Sequence, residues 1–298
     1  MSQTQVPVGT ASVSKKASVD SPWRRFIRRF RRQRLGMVAL GVVALLLLLM
    51  AIGPAISPFD PTEPDYDAVM EVPSAKHWFG TDDFGRDIFS RVLNGTRISL
   101  AVGLCSVFGG ALIGMFFGLT AGYYGGKYDG LVMRACDVLF AFPGILLAIA
   151  IIAILGPGLP NVVIAVAVFS VPIFIRIVRG ETLALKNKTY IEAARATGLR
   201  DREIIWRHLF PGTISVVLVY LTMRIGSAIL IAASLSFLGM GAQPPTPEWG
   251  AMLSSGRDYL TTAPHVAMFP GLAILVTCLG FNLLGDALRD ALDRKLTD

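Results

Sequence analysis

Charge is scarce in this chain: Asp, Glu, Lys and Arg make up 16% of its 298 residues, while 53% are hydrophobic. With a mean hydropathy of +0.57, that excludes an ordinary soluble domain. Cysteine is equally sparse. Cys105, Cys136 and Cys278 fall in or beside apolar runs, where they read as small packing residues and not as a disulfide framework or metal site. Three scattered histidines offer no Ser/His/Asp constellation, and no paired catalytic carboxylates stand out. No Gly-x-x-x-x-Gly-Lys-Ser/Thr loop is present: Gly126-Lys127 is followed by Tyr128 and lacks the leading glycine. The chain is expected to be no enzyme, with no cofactor of its own.

What it has is long apolar runs. Windows of about 20 nearly uncharged residues suffice to cross a hydrocarbon core about 30 Å thick. They predict an all-α, polytopic membrane protein with six spans, at about 35–56, 98–123, 136–155, 161–178, 214–240 and 265–285. A disordered tail is expected over 1–22, an interfacial helix over 23–34, a membrane domain over 35–288 and a short inner tail over 289–298. In the interfacial stretch Trp23, Phe26, Ile27 and Phe30 share one helical face and six arginines take the rest. That pattern suits an anchor with aromatics in the acyl boundary and arginines on anionic headgroups. A twin-arginine or secretory signal is the rival reading, disfavoured by the many spans that follow.

The net charge of +7 is distributed unevenly. Basic residues gather at the N-terminus and again over Arg176–Gly212, which holds eight Lys/Arg against four Asp/Glu. Membrane topology explains this better than nucleic-acid binding: both segments lie inside if four crossings separate them, and the C-terminus then lies inside too. The segment 58–97, with eight acidic residues, suits the outer side. There His77 stands near Asp82, Asp83 and Asp87, without a metal-ligand spacing. Gly110, Gly114, Gly118 and Gly122 recur every four residues and predict a helix-packing seam. Pro143 can kink the third span. In the proline-rich segment before the last span, Trp249 is expected at a membrane interface. Arg224 falls within the fifth span. It faces protein or a wet cavity, or else it snorkels to the inner headgroups.

The polar island between the fourth and fifth spans reads as helix, turn, helix. Thr189 and Glu192 have capping-box spacing, Gly198 follows the first helix, Asp201 caps the second, and Pro211 stops it. An ordinary cytoplasmic loop is the plainer reading of the same residues.

Glu192, Ala193, Ala194, Gly198 and Pro211 together resemble the cytoplasmic EAA loop of ABC importer permeases; His208 and Phe210 depart from the usual apolar ending. The string from His77 to Arg91 resembles the signature preceding the second span of dipeptide, oligopeptide and nickel permeases. Asp137-Val-Leu-Phe-Ala-Phe-Pro-Gly and Gly241-Ala-Gln-Pro-Pro-Thr-Pro-Glu-Trp-Gly look most like the glutathione-importer branch. The resemblance covers about Trp23 to the end. It implies a type I ABC importer permease fold, heterodimerised with a second permease, served by two ATPase subunits and an extracytoplasmic substrate-binding protein. ATP and Mg would bind those ATPases, and Glu192, Ala193, Ala194, Gly198 and Pro211 would form the coupling site. Arg224 would be a pathway residue, and the cargo small peptides, glutathione or dipeptides. Nickel import and a self-contained secondary transporter are the alternatives.

Overall fold

A computed structural model describes residues 22–292, and the described residues are built from helices and their connections. The expected 1–22 tail, except Pro22, which begins a helix, and the end of the inner tail lie outside the described residues. Five helices are long and apolar enough to span a membrane, and a broken pair makes a sixth crossing if counted as one span.

α1 (Pro22–Arg32) leads through Gln33 into α2 (Arg34–Ile56), the first span. α3 (Ile88–Tyr124) starts ten residues before the predicted 98, because the charges that read as loop are paired. Asp87 caps its start by accepting the Ser90 N–H at 2.7 Å, and buried Arg91 lies 3.3 Å from Asp82. At 37 residues α3 is about 55 Å long, more than a hydrocarbon core about 30 Å thick requires.

The predicted third span is broken. The stretch read as an inner loop is helical, as α4 (Gly126–Phe140), and meets α5 (Gly144–Leu155) at a bend of 89°. Pro143 lacks the N–H that would continue the ladder and pushes Phe142 out of the helical region. Asp129 and Asp137 on α4 then pair with Arg179 and Arg176 on α6 (Leu159–Lys186), holding α4 against that helix.

α3 and α6 form the central pair. A Cβ added at Gly110, Gly114, Gly118 or Gly122 would lie 2.4–2.8 Å from Cβ of Ser170, Phe174, Val178 or Thr182 respectively. The four-residue repeat on α3 therefore meets a four-residue repeat on α6, backbone close to backbone. In lipid, where burial from water supplies no force between helices, such close dispersion contact does.

α7 (Thr189–Ala196) and α8 (Asp201–Ile204) form the hairpin. Pro211 does not end it. A π turn, Ile205–Leu209, carries α8 into α9 (Phe210–Phe237), so one helix runs from Asp201 to Phe237. The wider turn bonds the Phe210 N–H to the Ile205 carbonyl. Proline, sitting in the first turn of α9, then costs no regular helical hydrogen bond.

α10 (Trp249–Gly256) precedes α11 (His265–Leu292), which outruns the predicted end at 285. Trp249 is only 1% exposed and is no interface anchor. Its indole N–H donates to the Val92 carbonyl at 3.1 Å, which removes the need for a wet position. Glu248 accepts from Ala251 N–H and the Ser99 hydroxyl, and Ser99 Oγ accepts the Trp249 N–H. α10 is thereby fixed to α3.

Candidate functional site

The hairpin is held to the membrane body from beneath. Ile191, Ile204 and Leu209 are fully buried, each contributing about 1.5–3 kcal/mol of burial. α7 closes on Gly198, whose φ of +80° suits glycine. The Gly198 N–H bonds Arg195 O at 2.9 Å and the Leu199 N–H bonds Ala194 O at 3.2 Å, which is a Schellman stop.

Two sequence expectations fail here. Thr189 lies inside α7, whose cap residue is Lys188 with no side-chain cap bond. Glu192 therefore caps nothing; it is exposed. Asp201 is the first residue of α8 and spends its carboxylate elsewhere, while Glu203 accepts the Arg200 N–H at 3.2 Å. Of the two alanines, Ala193 is exposed but Ala194 is 7% exposed and packs in the core. Tyr190, Glu192, Ala193 and Arg195 are thus exposed on α7, and Trp206 is exposed on the second arm.

Asp201 accepts a hydrogen bond from the Tyr123 hydroxyl at 2.6 Å. Arg195 lies over the Tyr123 ring, 5.2 Å from its centre. Lys186 donates to the Gly122 and Tyr123 carbonyls at 3.1 and 3.3 Å, which satisfies two acceptors at the end of α3. One tyrosine thus joins both arms of the hairpin to the inner end of α3. Spacing could not reveal it, since Tyr123 and Asp201 lie 78 positions apart. Beside this joint a cleft of about 240 Å³ opens between α3 and the π turn, lined by Phe116, Leu119, Tyr124, Arg202, Ile205 and Trp206 among others.

Arg224 stands at the middle of α9, where an arginine costs at least about 2.5–3.5 kcal/mol on insertion scales. Its contacts run to α6. Its Nη2 donates to Ser170 Oγ at 3.4 Å, its guanidinium lies 5.4 Å from the Phe169 ring centre, and its buried Nε bonds nothing. These contacts accord with the protein-facing reading of the two that the sequence left open.

In the N-terminal helix the Phe26 and Phe30 rings stack at 6.0 Å. Phe30 is buried in the main core, with Phe26 packed against it. The aromatic face therefore packs at least in part on α2 and α11, not on lipid alone. The side chain of Trp23 lies outside the described residues.

Before α3, the histidine and carboxylates that might have held a metal are used structurally. His77 Nδ1 lies 3.0 Å from Asp87 Oδ1. Arg86 donates to Asp82 at 2.8 Å. Burial beside Asp82 raises the Asp83 carboxyl above the usual carboxylate range, against the pull of Arg86.

Comparison with known proteins gives two family matches. Residues 114–298 match the binding-protein-dependent transport system inner membrane component, and residues 21–73 match the N-terminal TM domain of oligopeptide transport permease C. Among curated proteins, the glutathione transport system permease protein GsiD of Pectobacterium atrosepticum is 57% identical over 291 residues, 97% of this chain and 96% of its own length. The protein of the same name from Escherichia coli is 57% identical over 293 residues, covering 98% of this chain and 97% of the relative. The Shigella boydii counterpart matches to the same extent.

Proposed function

Since the chain belongs to the binding-protein-dependent transport permeases, we propose that it is the permease subunit through which an ATP-driven importer moves small peptides, glutathione first among them, into the cytoplasm. The observation that carries the choice of cargo is the 57% identity to glutathione permeases along nearly the whole chain. The partners are a second permease, two ATPase subunits that bind ATP and Mg, and an extracytoplasmic binding protein. The N-terminus, the hairpin and the C-terminus face the cytoplasm, and 58–87 with α10 face outward.

The residues support a definite route for force. An ATPase subunit grips the exposed face of α7 at Glu192 and Ala193. Movement of the hairpin passes to α3 through Tyr123, which binds Asp201 and carries Arg195. It passes to α9 without a joint, because the π turn makes α8 and α9 one helix. Two helices of the core are thus driven from one surface, which suits alternation between inward-open and outward-open arrangements.

The test is to purify the chain with its native partners, reconstitute it in proteoliposomes, and measure uptake of glutathione, dipeptides and nickel. ATP-dependent glutathione uptake that requires the binding protein is the expected result. Uptake by the chain alone without ATP would replace this reading with a secondary transporter, and nickel uptake without peptide uptake would reassign the cargo.

A further inference from the structure

Arg224 has no charged partner among the described residues. Among the described residues its contacts are the Ser170 hydroxyl at 3.4 Å and the face of Phe169, while its Nε is buried and bonds nothing. Ser170 is itself occupied, donating to the Val166 carbonyl at 2.9 Å. A guanidinium at mid-membrane persists where it meets an anion or lines a wet cavity.

The surroundings point to the cavity. Phe169, beneath the guanidinium, packs on Gly144 so closely that a Cβ there would lie 2.3 Å from the ring. Gly144 opens α5, immediately after the 89° break in the third span. Ala141, Phe142 and Pro143 at that break are exposed on this chain, Phe142 by 54%. Irregular backbone at membrane depth is tolerated where it is buried in protein or lines a water-filled space. A broken helix and an unpaired arginine at one level are what a cargo site at the membrane centre requires.

We propose that Arg224, seated on Phe169 and Ser170 beside the 141–144 break, binds a carboxylate of the peptide as it crosses the membrane. This rests on the peptide-import reading above. A planar guanidinium presents paired donors to a carboxylate, and every unmodified peptide carries one at its C-terminus. The Nε is a donor without a partner among the described residues, and because it is buried it reaches a carboxylate only when the head turns. Ser170 and Phe169 keep the head in place between cargo molecules, and the weakness of both contacts lets the arginine exchange them for the carboxylate.

The experiment is a cycle in the reconstituted complex, with binding protein loaded to equal occupancy. Import of glutathione and of its two mono-amides is measured for wild type, Arg224→Gln and Arg224→Lys. Arg224→Gln is expected to lower glutathione import by about tenfold or more, the loss of a charge-assisted bond, with Arg224→Lys intermediate. For one of the two amides, wild type and Arg224→Gln should import equally, because the lost carboxylate and the lost arginine are the same interaction. The binding protein's own preference among the three cargoes cancels in this comparison. Additive losses for both amides, or unchanged glutathione import by Arg224→Gln, would overturn the site. So would loss of the second permease from the Arg224→Gln complex on purification, since the arginine would then answer a carboxylate of that subunit. A wild-type complex that imports no peptide at all would instead remove the peptide reading, with this site as its consequence.

Discussion

Ala193 and Ala194 are adjacent and identical, yet they face opposite ways, and their substitutions should separate cleanly. Ala194→Trp inserts an indole into a packed core and should lower thermal stability of the purified chain, overpacking costing about 1–3 kcal/mol or more. Ala193→Trp should leave stability unchanged and abolish the ATPase response to loaded binding protein. Equal melting points for the two variants would contradict this division. The alanine pair is legible in the sequence; which alanine points outward is not, because that depends on how α7 rolls onto Ile191 and Ile204. Asp83 provides a second test at this scale. Its raised folded pKa means that the ionised form is disfavoured in the fold, so Asp83→Asn should stabilise the protein at neutral pH. The gain should shrink as pH falls through the folded pKa and vanish below the unfolded one, where the carboxyl is neutral in both states. A stability difference independent of pH would show that Asp82 and burial do not govern this group.

Helices, not residues, carry the next level of organisation. The α3 repeat of glycines was legible as a seam because a period of four puts small residues on one face. Its partner was not legible, since nothing in the sequence says that Ser170, Phe174, Val178 and Thr182 lie opposite. Gly114→Leu should abolish recovery of folded chain from detergent, whereas Gly41→Ala, with nothing within 4 Å of the added carbon, should have no effect. Normal folding of Gly114→Leu would mean that α3 and α6 can separate. Tyr123→Phe keeps the ring under Arg195 and removes the bond to Asp201, worth about 1–1.5 kcal/mol in this half-buried setting. Import per ATP hydrolysed should fall while the complex still assembles; unchanged coupling would leave α9 as the sole route. Sequence alone predicts an interruption at both Pro143 and Pro211. One breaks its helix by 89° and the other is absorbed, because only the second has a π turn to reassign its neighbours' hydrogen bonds.

At the scale of the whole molecule, sequence reading is most secure. Class and approximate span positions follow from hydropathy, which is summed over many residues and tolerates local error. The limits of α3 and of the third span were misjudged where charges form pairs, since Asp82–Arg91, Asp129–Arg179 and Asp137–Arg176 make helix look like loop. Topology remains a prediction of charge and parity. A cysteine introduced at Glu63 should react with an impermeant thiol reagent applied outside intact cells, and one at Lys188 only after the membrane is opened. The reverse pattern would invert the molecule.

The unbroken helix from Asp201 to Phe237 has a mechanical corollary. Its 37 residues make a rod about 55 Å long, anchored by side chains along its length and free of any hinge loop. A rod transmits tilt as a lever does: turned through about 10° near its midpoint, its ends travel about 5 Å in opposite directions. Arg224, five residues and so about 7.5 Å beyond the centre at Val219, moves by only about 1.3 Å. The two mouths of the passage can thus exchange open and shut while the arginine stays nearly still, a fulcrum and not a passenger.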